Sequence, residues 1–257
     1  MDNQNNKIFK SFYSEFYDLI YEDKGYEDEC NRIKEFLKYK KNIENILELG
    51  CGTCGHSMIL SKNGYNIDAI DQSDEMLEIA SKKIKKEKIF NIRLFKDNLE
   101  NLKLTKFSYD VILLLFNVVG YIKNIDKFFS SIKKFLKKDS LIIFDFWHEN
   151  GVNFEGPKII SKTFRKKNLE LVKKSSGNVN EKEDSVEIVI NTTIKKQKKI
   201  ISQYNEYHSI KYYNINFLSK IISSQGFEVI KFEDFKKAGY LPNKKNWSVY
   251  CICKFLG

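Results

Sequence analysis

The spacing of apolar positions divides the chain into helical and extended segments. Aromatic residues recur every three or four positions over residues 9–23, and apolar residues do so again over residues 25–40, which predicts two amphipathic helices. From residue 44 a short apolar run ends in glycines, and strand and helix patterns then alternate as far as Trp147. This alternation predicts a doubly wound parallel sheet of five strands with helices on both faces.

The pattern changes after Trp147. Residues 158–212 hold β-branched, partly alternating segments divided by a loop at residues 175–184, which predicts an inserted antiparallel sheet. A helix and two strands follow and complete the main sheet. We therefore predict an α/β fold, with a doubly wound, Rossmann-like seven-stranded sheet and an inserted antiparallel β-sheet. The predicted domains are residues 1–150 with the N-terminal helices and the Rossmann-like core, 151–212 with the inserted β lid that binds substrate, and 213–257 with the return to the core.

Composition narrows the class of protein. The chain has no apolar window of about 18 residues, and its first 25 residues do not follow a signal-peptide pattern, so we expect a soluble, cytoplasmic protein without a membrane partner. Five cysteines, an odd number, favour reduced thiols. The formal charge of +10 comes almost entirely from lysine spread along the chain. This is typical of a solvated surface, so a nucleic-acid partner is not favoured, while an anionic small substrate is compatible with it.

The stretch LELGCGTCGHS, residues 47–57, has two competing interpretations. Cys51 and Cys54 form a C-x-x-C, which suggests a redox dithiol or half of a zinc site. The second cysteine pair that zinc would need is available only at Cys251 and Cys253, in an apolar strand where small thiols are usually core residues. We therefore predict no metal.

The glycines of the same stretch agree better with their surroundings. Gly50 and Gly52 directly follow the first strand, and Asp71 ends the next strand, where a carboxylate would meet a ribose diol. With Gly55 the spacing also fits a nicotinamide-dinucleotide fingerprint. Glu48 argues against that ligand, because a carboxylate in a buried strand needs a cationic or hydrogen-bonding partner, and it suits a ligand with an ammonium group.

Four ordered segments, ILELGCGTCGHS, IDAIDQSDEMLEIA, FKDNLENL and YDVILLLFNVVGYI, resemble the motifs of class I S-adenosylmethionine-dependent methyltransferases. The resemblance implies S-adenosylmethionine as cofactor and S-adenosylhomocysteine as product. It implies that Glu48, Gly50 and Gly52 line the methionine end, that Asp71 binds the ribose, and that Tyr17 closes over the cofactor. Around the adenine and the cofactor's amino group it places Gln72, Met76, Asp97, Asn98, Leu99, Leu115 and Phe116.

One position departs from the family's pattern. Cys54 stands where those enzymes have a third glycine, which puts in question how closely the backbone there can approach the methionine moiety.

Segments outside the core are similar to N-methyltransferases of nucleotide-linked amino sugars, in which an inserted sheet forms much of the sugar-nucleotide site. The implied partner is therefore a small molecule of that class, and the sequence leaves a homodimer open. A neutral amine held in line with the methyl group needs no strong base. Tyr121 matches a histidine of those enzymes, His208 matches a histidine of their lid, and Tyr13 lies on the N-terminal helix; these three are the candidate catalytic residues.

Three alternatives stay open at this point: an O-methyltransferase of a sugar or another small metabolite, an RNA methyltransferase, and a non-catalytic cofactor-binding subunit that partners an active enzyme.

Overall fold

A computed structural model describes Phe16, Ile20, residues 25–104 and residues 108–257. These residues fall into two compact units. The core unit contains Gly25–Glu155 and Lys211–Gly257, and the insertion unit contains Gly156–Ile210 with Phe16 and Ile20. The helix predicted over residues 9–23 lies outside the described residues, except for Phe16 and Ile20, which are helical.

The helices and strands follow one another as the apolar pattern predicts. The helices are α1 (Tyr26–Leu37), α2 (Gly55–Lys62), α3 (Asp74–Lys86), α4 (Ile125–Ile132), α5 (Glu149–Glu155) and α6 (Ile215–Ser224). The strands are β1 (Asn45–Leu49), β2 (Asn66–Asp71), β3 (Ile92–Lys96), β4 (Tyr109–Leu114), β5 (Leu136–His148), β6 (Ile160–Lys166), β7 (Leu169–Asn180), β8 (Ser185–Lys196), β9 (Lys199–Tyr213), β10 (Phe227–Asp234) and β11 (Ser248–Phe255).

The core unit is built on one mixed sheet. Its strand order is β3–β2–β1–β4–β5–β11–β10, with β1 to β5 parallel, β11 antiparallel to β5, and β10 antiparallel to β11. Every residue of β4 is buried, because helices cover both faces of a parallel sheet. Ile112 and Leu114 join the core on one face, and Val111 and Leu113 join the core on the other. The predicted Rossmann-like fold is confirmed.

Local sequence signals fix several helices at the sheet. Helix α1 buries Cys30, Ile33, Phe36 and Leu37 on one stripe, as their spacing predicts. The side chain of Ser73 accepts from the backbone N–H of Met76 and so caps α3. Because parallel strands all end at one edge of the sheet, the loops after β1, β2, β3 and β4 collect along that edge.

The insertion unit is an antiparallel sheet in the order β9–β8–β7–β6, and β9 contributes to it as far as Ile210. The prediction of a loop at residues 175–184 is wrong for residues 175–180. Strand β7 continues to Asn180, residues 175–180 pair with β8, and only residues 181–184 form the turn. Hydrogen bonding along β8 outweighs the weak strand propensity of serine, glycine and asparagine, a tertiary effect that local composition does not reveal.

Among the described residues, no helix is long and apolar enough to cross a membrane.

Candidate functional site

The loop after β1 begins at a buried carboxylate. Glu48 is 2% exposed, and the hydroxyl of Ser57 donates a hydrogen bond to it. Its Oε1 lies 3.5 Å from Nδ1 of His56, whose Nε2 lies 2.6 Å from Oε2 of Glu29. The imidazole thus stands between two carboxylates, and the hydrogen-bonding partners that a buried acid requires are present. The sequence indicated that Glu48 needs partners but did not identify them.

The glycine loop adopts the backbone that its sequence predicts. Gly50 has φ +71° and Gly52 has φ +54°, in the region that favours glycine. A Cβ on Gly50 would lie 2.6 Å from Cγ2 of Val118, so the missing side chain lets the loop after β4 approach closely. Cys54 also has a positive φ, +62°, although it is not a glycine. The left-handed backbone at position 54 explains why glycine is expected there.

Gly55 serves packing rather than a ligand. A Cβ at this position would lie 2.3 Å from the ring of Tyr26, so only glycine lets helix α1 pack at this distance from the start of α2. The third glycine of the G-x-G-x-x-G spacing is therefore explained by helix packing.

The cysteines do not form a reactive centre. All five are free and buried. A hydrogen bond with Cys54 and burial both raise the pKa of the Cys51 thiol well above its usual value, which disfavours the nucleophilic thiolate that redox chemistry needs. The described residues contain no group of three or more potential metal ligands.

Asp71 joins the loops after β1 and β2. Its Oδ2 accepts from the backbone N–H of Gly52 at 2.9 Å, and its Oδ1 accepts from that of Ser73, also at 2.9 Å. A carboxylate has about four lone-pair sites, so two contacts leave capacity for a ligand. Asp71 therefore shapes the glycine loop and is available to accept from hydroxyl groups.

The loop after β3 is organised by Asp97. Its side chain accepts from the backbone N–H groups of Asn98 at 2.8 Å and of Lys103 at 2.6 Å, and its own N–H donates to the carbonyl of Asp71 at 3.2 Å. Gln72 and Asn98 are exposed, while Met76 and Leu99 are partly buried. The structure thus places five of these predicted residues at or just after the ends of β2 and β3, and Met76 in the first turn of α3.

The loop after β4 contains two consecutive left-handed residues, Phe116 at φ +67° and Asn117 at φ +56°. Both are held by Asp145 of β5, a buried carboxylate that accepts from the Phe116 N–H at 2.6 Å and from the Asn117 N–H at 2.8 Å. Leu115 is buried, whereas Phe116 is 57% exposed. Sequence reasoning missed Asp145, although an acid in the apolar run LIIFDFW carries the same signal that drew attention to Glu48.

The three predicted catalytic residues lie in different parts of the chain. Tyr121 is about half exposed and ends the short 3₁₀ turn Val118–Tyr121 that follows the β4 loop. His208 is partly buried on β9 in the insertion unit. Tyr13, like the predicted cofactor residue Tyr17, lies outside the described residues.

His148, at the end of β5, is a buried histidine near the same edge. Burial lowers the pKa of its imidazole below the usual value, although the ring donates to the backbone carbonyl of Asn246 and Glu149 lies nearby. This environment favours the neutral ring.

Comparison with known proteins agrees with this geometry. Residues 46–139, which include the loops after β1 to β4, match the model of a methyltransferase domain family. A putative methyltransferase of Geobacillus sp. is 27% identical over 135 residues, which cover 51% of this chain and 54% of that protein. The chain thus spans about half the length of this curated relative.

Solved structures share the fold over nearly the whole chain. An S-adenosylmethionine-dependent methyltransferase from Clostridium acetobutylicum has a TM-score of 0.80 at 19% identity, covering 97% of this chain and 100% of that one. The sugar N-methyltransferase KedS8 from Streptoalloteichus sp. has a TM-score of 0.74 at 13% identity, covering 92% of each chain. Residues 46–139 thus match a methyltransferase domain, and the solved structures show the fold that the sequence predicts.

Proposed function

We propose that the protein transfers a methyl group from S-adenosylmethionine to the amino group of a nucleotide-linked amino sugar. The observation that carries the proposal is the extent of the likeness to KedS8, which covers 92% of this chain and so extends well beyond residues 46–139. The excess of basic residues, which suits an anionic substrate, supports it further.

The residues at the ends of β1 to β4 have the chemistry that this cofactor needs. When bound, S-adenosylmethionine supplies an electrophilic methyl group on a sulfonium. We assign Glu48 to the ammonium of the methionine end, because Glu48 and Glu29 place two carboxylates around one imidazole and make this end of the site acidic. Asp71 accepts from the ribose hydroxyls, and Asp97 accepts from the adenine amino group.

The remaining cofactor residues contribute surface and backbone. Gly50 and Gly52 let the ligand approach the loop, and the backbone of Leu115 and Phe116 contacts the cofactor's amino group. The other four, Gln72, Met76, Asn98 and Leu99, flank the adenine. Tyr17 stays a prediction.

Catalysis by positioning suits this substrate. The cofactor would supply a methyl group that a neutral amine could take up directly, so the protein's main task would be to hold the amine and the methyl group in contact and in line. Tyr121 is a poor base near neutral pH because a phenol has an ordinary pKa of about 10, and we assign it to substrate orientation. His208 is the better candidate for accepting the proton that leaves the amine. Tyr13 stays a prediction.

A panel of acceptors tests the substrate. The protein is incubated with methyl-labelled cofactor and separately with amino-sugar nucleotides, the matching hydroxy-sugar nucleotides, and RNA. We expect label only on the amino-sugar nucleotides. Transfer to the hydroxy sugars instead would make the protein an O-methyltransferase, transfer only to RNA would overturn the small-molecule assignment, and cofactor binding without any transfer would favour a non-catalytic partner subunit.

Titration calorimetry tests the cofactor site. Glu48→Gln should weaken S-adenosylmethionine binding by about 10-fold or more, since it removes a charge from a buried contact with a cation. Glu44→Gln is the matched control, because Glu44 is exposed and directly precedes the same strand. Equal affinity in the two variants would exclude the role given to Glu48.

A further inference from the structure

One face of the insertion sheet carries a row of polar side chains across three strands. Lys162 of β6 pairs directly with Lys173 of β7, and Lys173 pairs directly with Thr192 of β8. Directly paired residues point to the same face of a sheet, and neighbouring strands lie about 4.8 Å apart. We call these three residues the Lys162–Lys173–Thr192 row.

The next row along the same face is apolar and closely packed. Phe164 pairs with Leu171, and Leu171 pairs with Ile194. Leu171 and Ile194 are fully buried in a cluster with Phe16. The polar row therefore lies beside a hydrophobic cluster, where water screens charges less than on an open surface.

Two members of the row, Lys173 and Thr192, lack the partners that their burial requires, whereas Lys162 is exposed. Thr192 is fully buried, and its hydroxyl has no hydrogen-bond partner in the part of the chain that the structure describes. Burial lowers the pKa of the Lys173 ammonium, and the negative charge of Glu206 opposes that shift. Two directly opposed lysines also repel each other. A buried donor and a desolvated cation both cost free energy unless something accepts from them.

Two other cations of the same sheet, Arg165 and Lys195, are already paired with a carboxylate. Glu170 accepts from Nε of Arg165 at 2.9 Å and from Nζ of Lys195 at 3.3 Å. In contrast, neither Lys162 nor Lys173 has a carboxylate within ion-pair distance among the described residues. Of the two partly buried lysines of this sheet, Lys195 is therefore paired with a carboxylate and Lys173 is not.

We propose that the Lys162–Lys173–Thr192 row binds a phosphate group of the substrate, with both ammonium groups and the threonine hydroxyl donating to its oxygens. Phosphate oxygens accept several donors at once, and lysine binds them as a point charge. The assignment of this anion to the substrate rests on the proposed function, since a nucleotide-linked sugar carries a diphosphate. The anion site itself rests only on the insertion sheet.

Calorimetry with inorganic pyrophosphate and with uridine diphosphate tests the row. Lys173→Met should weaken both by about 10- to 100-fold, and Thr192→Val should weaken both less. Lys174→Met is the matched control, because Lys174 is the next residue on β7, is exposed and faces the other way, so it should bind as wild type does. The melting temperature of Lys173→Met should not fall, since a desolvated charge is removed.

Three results would overturn the site: no binding of either probe by wild type, unchanged binding by Lys173→Met, or equal losses in Lys173→Met and Lys174→Met. Preferred binding of single-stranded RNA with the same dependence on Lys173 would overturn the small-molecule assignment. The two proposals fail separately. Lysine-dependent pyrophosphate binding without transfer to any amino-sugar nucleotide would refute the function and keep the site, and undiminished transfer by Lys173→Met would refute the site and keep the function.

Discussion

Asp145→Asn is the most informative test of how the β4 loop is held. The buried carboxylate of Asp145 accepts from two successive backbone N–H groups, those of Phe116 and Asn117, at 2.6 and 2.8 Å. Each oxygen takes one donor, which is the arrangement of an ionised carboxylate. Both residues have left-handed backbone conformations, which cost free energy outside glycine and persist only when contacts impose them.

The magnitude follows from these two contacts. Asparagine keeps one acceptor oxygen but turns an N–H₂ group toward the other backbone N–H, so one charge-assisted hydrogen bond is lost, at about 1.5–3 kcal/mol. The remaining bond becomes neutral and weakens by about 1 kcal/mol. We expect the free energy of unfolding to fall by about 2.5–4 kcal/mol, a large share of the usual 5–15 kcal/mol for a folded domain.

Urea denaturation at neutral pH, followed by circular dichroism, measures this loss. Asp139→Asn is the matched control, because Asp139 lies on the same strand, is exposed, and has a positive φ that asparagine tolerates. It should change stability by less than about 0.5 kcal/mol. If Asp145→Asn is as stable as this control, the carboxylate does not hold the loop.

Variants at three further positions test the core unit. Hydrogen bonds from backbone N–H groups and the charge of Lys137 outweigh burial and hold the pKa of Asp110 below its usual value. The ionised carboxylate therefore stabilises the fold above about pH 4, and this contribution disappears as the pH falls through the lowered pKa. The difference in unfolding free energy between wild type and Asp110→Asn should close in acid, and a constant difference from pH 7 to 3 would contradict this. Burial lowers the pKa of His148, so the wild type should lose stability as the pH falls below about 6.5. In urea titrations, His148→Gln should lose less stability than wild type between pH 7 and 5, and equal losses would contradict this account. The unfolding free energy of Cys54→Gly should stay within about 1 kcal/mol of wild type, because relief of the left-handed backbone strain offsets the loss of a buried thiol. Cys54→Val should lose more than about 2 kcal/mol, because a β-branched residue tolerates that backbone least. Thermal melts that rank the two variants the other way would refute this account.

Much of the candidate cofactor site could be predicted from the sequence because its signals are local. Gly50 and Gly52 follow β1, Asp71 ends β2 and Asp97 follows β3. Parallel strands end at one edge of a sheet. The hydrogen bond from Gly52 to Asp71 connects two of these predicted positions. The spacing of apolar residues and the glycines between segments therefore predict both the fold and the placement of these residues at one edge of the sheet.

Contacts across the sheet could not be predicted in that way. The sequence contains Glu29, His56 and Asp145, but no local pattern indicates that His56 contacts two carboxylates. No local pattern indicates that Asp145 accepts hydrogen bonds from the β4 loop either. Each of these contacts joins residues 8 to 29 positions apart, and their geometry depends on how helices and loops pack against the strands.

Strand register is the clearest case. The amino-acid sequence by itself determined the alternation of strands and helices, the glycine loop and the acids at the strand ends, because helix and strand periods are properties of neighbouring residues. Only the tertiary structure decided that β7 continues to Asn180 and that Lys173 lies between Lys162 and Thr192. A shift of one residue in the pairing would turn each of these side chains to the opposite face, so their meeting is fixed by the register of the folded sheet.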